Sequence, residues 1–491
     1  MLKHVFGVLA LWVVFALPAQ AQAFFQSPFL SPAEIIAARG ETSPATMRLR
    51  YELRRSEGGA PETTSELIID LAPDWALVTS AEATQLRDFR LNRVFVLQPT
   101  QRSFVSQNAL GAPFFLIAER QNRAALQRFT AQLGPEAQIF QPCDVDAELG
   151  LVVPPNAPIE NAELREEGGV HTLRCDNRDA GSFSASETIP LATFWPVLAL
   201  DMTTHPTLSA GVRQSGRAPQ TLSTSFRSMN AMTQRTWRLV SVETISAPYP
   251  LDSSFTNTSA AAMDALLTNS GAIAMDAIAG RAAGGAPTLE SWNTQVSQLA
   301  RRDPAAAAML VLPSFHMFPE LEAMCSRNGA HSVCSVARSL APGVLRDPAP
   351  LALIQIAMAE QSNNAAGAID AMRRAQSSPL RDDPALGASF ALALLRFDQE
   401  ALAQAQAAGL PTDPAMLQAR ALAALPYNPA YWTDVGDRIG ASYDWPSALM
   451  FYDVAFSLPM PSAVRDGRAL GSKRRASEAV RRDFPQFFLT Q

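Results

Sequence analysis

Lysine is almost missing from this chain. Of 40 basic residues among 491, only Lys3 and Lys473 are lysines and the rest are arginine. The formal net charge is −6 with a pI near 5.5, and no basic stripe gathers the arginines, which argues against nucleic acid as a main partner. Histidine is nearly as scarce: beyond His4 there are His171, His205, His316 and His331. The chain has no G-x-S-x-G elbow, no G-x4-G-K-[ST] phosphate loop, no H-E-x-x-H pair and no calcium-binding loop. His316 precedes Glu320 by four residues, but Pro319 interrupts the helix that would bring the two onto one face. No catalytic residue, cofactor or metal is assigned, and the expectation is a protein that is not an enzyme. After the N-terminus no uninterrupted apolar run approaches the roughly 18 residues of a membrane-spanning helix, so the mature chain is expected to have no transmembrane segment.

What is present begins with a targeting signal. "MLKH" gives a short basic start, "VFGVLALWVVFAL" an apolar stretch and "PAQAQA" the small residues of a cleavage site, predicting a signal peptide over 1–23 and a periplasmic destination. Hydrophobic content of 47% and charged content of 18% describe a folded chain, and its length calls for more than one core.

Residues 30–245 are expected to form a strand-rich α+β domain built on an antiparallel meander. "MRLRYELRR" alternates Met47, Leu49, Tyr51 and Leu53 against Arg48, Arg50, Glu52 and Arg54, the period of a half-buried strand. "SELIIDL", "WALVTS", "NRVFVLQP" and "RSFVSQ" follow at short intervals, with "GGAP" and "QPTQR" as turns. A helix is expected over 113–133, with Phe115, Ala118, Leu126, Phe129 and Leu133 on its buried face and Glu119, Arg120, Arg123 and Arg128 outside. "VHTLRCDN", "LSTSFRSM" and "RTWRLVSVET" suggest further strands, and "PLATFWPVLAL" a short helix. Residues 246–257, "SAPYPLDSSFTN", carry no periodicity and mark a linker. From 258 to 488 Ala and Leu dominate, and helix-length segments alternate with Pro or Gly, giving an all-α domain.

The four cysteines allow three pairings in an oxidising compartment. Nearest neighbours, Cys143–Cys175 and Cys325–Cys334, keep each bridge within one domain. The rival is a zinc site of His316, Cys325, His331 and Cys334, whose eight, five and two intervening residues fit no familiar structural zinc module.

Three segments share an Ala-x3-residue-x2-Ala pattern: Ala368, Met372, Ala375; Ala401, Ala405, Ala408; and Ala448, Tyr452, Ala455. Pro379, Pro411 and Pro459 follow them. Around the last of these, residues 429–462 resemble a tetratricopeptide repeat. Trp432, Val435, Gly436 and Ile439 follow the first-helix pattern W-x2-L-G-x2-Y, and Ala448, Tyr452, Ala455 and Pro459 follow the second-helix pattern. The resemblance implies a tetratricopeptide-like solenoid of degenerate repeats, capped by a polar helix near 462–482, that binds a protein or peptide in a groove. Tyr427, Tyr431, Asp434, Asp437, Arg438 and Tyr443 are then the exposed candidates for partner binding, while Trp432, Gly436, Ala448, Tyr452, Ala455 and Pro459 are packing positions. The strand meander with its inserted helix resembles the half-barrel of LolA-type periplasmic carriers, which implies an apolar cavity for a lipid. Two functions follow as expectations: a periplasmic scaffold or adaptor, and alternatively a carrier of a lipid or other apolar ligand.

Overall fold

The computed structural model describes residues 26–488, except 133, 135–139, 156, 158, 160, 176–177, 192–193, 229–230, 283, 319, 327–331, 340–345, 396 and 461–467. Residues 1–23, expected to be a signal peptide, and His331 lie outside the described residues, and the side chain of His316 lies outside the described side chains.

The N-terminal half is one twelve-stranded sheet in the order β12-β6-β5-β4-β3-β2-β1-β11-β10-β9-β8-β7. β1 (Ala45–Glu57), β2 (Thr63–Leu71), β3 (Trp75–Thr79), β4 (Thr84–Asp88), β5 (Arg93–Gln98) and β6 (Ser103–Asn108) form one antiparallel meander. β7 (Ala162–Glu167), β8 (Val170–Cys175), β9 (Arg178–Pro190), β10 (Arg217–Ser228) and β11 (Ala231–Ala247) form a second, and β1 joins them by pairing with β11 along almost its full length. Leu49 and Tyr51 of β1 are fully buried, as their alternation predicts.

Helices pack against this sheet. α1 (Pro32–Arg39) starts in a capping box made by Ser31 and Glu34. α2 (Gly111–Ala131) leaves the end of β6, and α3 (Pro142–Leu149), α4 (Trp195–Asp201) and α5 (Pro206–Ser215) are inserted between the later strands. Trp195, Val197 and Leu198 of α4 and Leu208 and Val212 of α5 share one core with Leu49, Ile69, Phe183, Leu222 and Trp237 of the sheet. Side chains of α4 and α5 therefore cover this part of the sheet. Cys143 lies on α3, and the bridge Cys143–Cys175 ties that helix to β8.

The segment 246–257 is not a free tether. Tyr249, Leu251 and Phe255 are buried in a second sheet core with Ile35, Trp75, Phe95 and Phe104, and Tyr249 donates to Asp88 at 2.7 Å. Its last residues form β12 (Thr256–Asn257), parallel to β6.

The C-terminal half is helical: α6 (Ser259–Leu266), α7 (Ser270–Ile278), α8 (Leu289–Ala300), α9 (Pro304–Met317), α10 (Glu320–Ser326), α11 (Ser332–Ser339), α12 (Pro348–Gln361), α13 (Ala365–Ala375), α14 (Pro384–Leu395), α15 (Gln399–Ala407), α16 (Pro414–Ala424), α17 (Pro429–Ala441), α18 (Trp445–Ser457) and α19 (Arg468–Asp483). Short polar residues set their starts. Asp347, Asn364, Asp398, Asp413, Asn428 and Asp444 each accept a hydrogen bond from a backbone N–H of the first turn. Alanines at 368, 371, 375, 388, 391, 405, 421 and 448 let these helices approach closely in one continuous core. Cys325 and Cys334 bridge α10 to α11, so both pairings are the nearest-neighbour ones.

Candidate interaction surfaces

The helix pair α17–α18 carries the tetratricopeptide resemblance. Trp432 is fully buried, and its indole donates to the Pro426 carbonyl at 2.8 Å. Gly436 lies against the Tyr452 ring so closely that a side chain there would overlap it. Ala448, Tyr452 and Ala455 are buried, and Pro459 follows α18 at the surface.

Of the residues expected to be exposed on this pair, Asp437 is exposed, and the others are buried or half-buried. Tyr427 and Tyr431 are 4% and 6% exposed, which corrects their reading as groove residues open to solvent. Tyr427 donates to the Ala282 carbonyl at 3.1 Å, and burial raises the Tyr431 phenol to about 12. Asp437 accepts from the Tyr452 hydroxyl and pairs with Lys473 of α19. Asp434 is half-buried and engaged within the chain. Arg438 is half-buried, and burial lowers its pKa. Tyr443, at a positive φ of 68° just after α17, sets its ring edge-on to Phe115 of α2 at 6.2 Å. The face that the resemblance offers to a partner is packed instead by α19, α2 and the 282 region.

A buried polar site joins the two halves. Asp453 of α18 pairs with Arg93 of β5 at 2.6 Å and accepts from Asn108 at 3.0 Å, all three being buried. Arg93 also donates to Ser106 at 2.8 Å and to the Gln26 carbonyl at 3.0 Å. Burial pushes the Asp453 carboxyl upward, and the Arg93 charge opposes that shift. This residue has a sequence signature: a lone Asp inside the apolar run "ALMFYDVAFSL" requires a buried partner.

A second polar cluster lies under α2. His205 is fully buried. It caps α5 by accepting from the Thr207 N–H at its Nδ1, 3.2 Å away. That bond leaves the proton of the neutral ring on Nε2, which faces Cys175 Sγ at 3.8 Å. Burial, with help from the Arg120 charge, lowers the His205 pKa to about 4. Asp146 pairs with Arg120 at 2.7 Å, yet burial raises it to about 6. Cys143, Cys175 and His205 bring three metal-binding atom types together, but both sulfurs are held in the disulfide. The Thr207 bond also occupies the nitrogen that would need the proton if Nε2 bound a metal.

An open groove of about 540 Å³ lies between the start of α7 and α16 in the helical half. Ile273, Ala415 and Ala419 line it, with Met416 at 61% exposure, and Asp413 and Arg420 contribute the charged groups. Arg420 is exposed and has no ion-pair partner among the described residues. None of the motifs singled out in the sequence falls in this groove. Its one visible signal is the row Ala415, Ala419, Ala423, small residues at helical spacing that leave a trough beside the helix. Comparison with known protein families and with curated proteins finds no match for the chain.

Proposed function

We propose that this protein is an exported, non-catalytic scaffold that holds a peptide segment of an envelope partner in the groove between α7 and α16. The observation that carries this reading is the groove's make-up. An apolar floor of Ile273, Ala415 and Ala419 lies beside an adaptable Met416 and a single exposed guanidinium, Arg420. Such a trough suits a short segment with one or two apolar side chains and a carboxylate, because Arg can hold a carboxylate with two parallel bonds and Met repacks around varied shapes. The strongly perturbed buried groups, among them Asp453, Asp146, His205 and Tyr431, serve as internal ties, which agrees with a structural rather than a reacting role. The two disulfides suit an oxidising compartment and support a periplasmic destination.

Selection of displayed random peptides on the wild-type chain tests this reading. Enriched sequences carry an acidic group next to apolar residues. Ala419→Trp, which fills the trough, abolishes their binding, and Arg420→Glu weakens it by tenfold or more, both with the melting temperature unchanged. Failure to enrich any sequence, or binding that survives Ala419→Trp, would refute the proposal.

A further inference from the structure

After α19 the chain returns to the sheet half as a short strap. Phe487 and Phe488 are 6% and 9% exposed in a slot between β4, β5 and α4. Phe89, Val94, Pro196 and Leu200 form the slot's apolar wall. Among the described residues, the backbone N–H groups of Phe484, Phe487 and Phe488 donate only locally, to the carbonyls of Val480, Phe484 and Pro485. The adjoining tie is Arg481, which donates to Asn92 at 2.8 Å and lies over the Phe488 ring at 5.2 Å. A terminal segment held by ring burial, with no ladder bonds to its neighbour, belongs to the low end of local stability.

The slot offers more than the two rings use. About 30 Å³ stay open beside them, room for a group the size of a water molecule. Arg93 lines the slot, and its side chain is 2% exposed. Its Nε and Nη1 donate to Ser106, Gln26 and Asp453, but Nη2 has no partner among the described residues. A buried guanidinium nitrogen calls for an acceptor, and phenyl rings bring no lone pair. The other charges of the lining are matched: Arg87 pairs with Asp201 at 2.8 Å and Asp88 with Arg39 at 2.6 Å.

We propose that this slot is a binding site for an aromatic monocarboxylate, and that the C-terminal strap is its displaceable occupant. The ligand's rings replace Phe487 and Phe488 like for like against the same wall. Its carboxylate supplies the acceptor that Arg93 lacks, in a charge-assisted bond shielded from water. A phosphate ester is the poorer fit, because it would bring a second negative charge in beside Asp88. The slot is separate from the groove beside α16, which lies in the helical half.

The test is isothermal titration of the full chain with biphenylacetic acid, the neutral primary amide of that acid being the control. The strap competes with the ligand, so the wild type is expected to bind the acid weakly. Phe487→Ser/Phe488→Ser is expected to tighten binding by about tenfold or more, and both chains to prefer the acid to the amide by about tenfold. Arg93→Lys, which keeps a cation for Asp453, is expected to lose that preference. On the wild type, saturating acid is expected to speed hydrogen exchange at the Phe487 and Phe488 amides. Absence of binding, equal binding of acid and amide, or a preference that survives Arg93→Lys would each overturn the proposal. So would a folded double Ser variant that binds no tighter, or acid that binds without loosening 484–488. If the double variant does not fold, the acid–amide comparison and the exchange rates of the wild type decide.

Discussion

At the scale of single residues, the fold is held by a few charges placed where water cannot reach them. The Asp453 carboxylate and the Arg93 guanidinium are both buried, and each depends on the other to offset its desolvation. Asp453→Leu or Arg93→Leu alone should cost about 3–5 kcal/mol, because each leaves a buried unpaired charge. The double variant should cost much less than the sum of the two, and denaturant titration of the three variants measures the difference. His205 gives a pH signature. Its folded pKa of about 4 lies below the ordinary value of 6.5, so the unfolded chain takes up the proton first as pH falls. Stability from this group is complete above about pH 7 and is lost between pH 6.5 and 4, amounting to about 2 kcal/mol by pH 5. Asp146 works in the other direction. Its folded pKa of about 6 lies above the ordinary 3.8, so ionisation in the folded state is unfavourable and acidification returns about 1 kcal/mol between pH 7 and 5. His205→Asn keeps an N-cap acceptor for Thr207 and removes the titration. The variant should therefore lose less stability than the wild type between pH 7 and 5, by about 2 kcal/mol in matched thermal melts.

At the scale of elements, close approach and patterning decide what forms. α17 and α18 meet through Gly436, which leaves room for the Tyr452 ring. Gly436→Ala keeps helix propensity but forces that ring aside, and should destabilise by about 1–3 kcal/mol through overpacking. Chemical denaturation of the purified variant checks it, and retention of full stability would show that the pair can spread. The strands legible in the sequence were those with one apolar face, such as β1, β2 and β5. β4 was not, because its inward positions include Arg87 and Asp88, which are buried through pairs with Asp201 and Arg39 rather than through apolar character. β9 was hidden by "AGSFSAS", where small residues admit the helix α5 against the sheet. Periodicity locates the apolar stripe of α2 but says nothing about whether the core or the surface receives it, and Phe115, Leu126 and Phe129 are exposed rather than buried. The helix pair at 429–457 was legible for the same reason that its face is closed: aromatic and small residues at those spacings mark close packing. The groove beside α16 had no comparable mark, because a trough is defined by what its residues leave empty.

At the scale of the whole molecule, the two halves are stitched together rather than tethered. α18 packs on β6 and α2, Asp453 reaches Arg93 and Asn108, and Ser259 of α6 accepts from the Ser106 N–H at 2.9 Å. The helical core also includes Leu110, with Val105 of β6 and Phe114, Leu116 and Ile117 of α2 packed against it. A fragment ending near residue 257 would therefore expose those side chains and leave Arg93 without its carboxylate. Two domains joined by a linker would melt in two steps, each with its own enthalpy. A chain joined as this one is should melt in one, with calorimetric and van't Hoff enthalpies equal. The junction makes that prediction sharper than a single melt. If Asp453 couples the halves, Asp453→Leu should lower cooperativity as well as stability, splitting the transition or reducing the van't Hoff enthalpy below the calorimetric one. Reduction of Cys143–Cys175, which closes a span of 32 residues within the sheet half, should lower the melting temperature through the unfolded state while leaving the wild-type transition single. Loss of stability at one temperature in the reduced wild type, set against separation into two steps in Asp453→Leu, would place the coupling at the Arg93–Asp453 contact rather than in general fragility of either half.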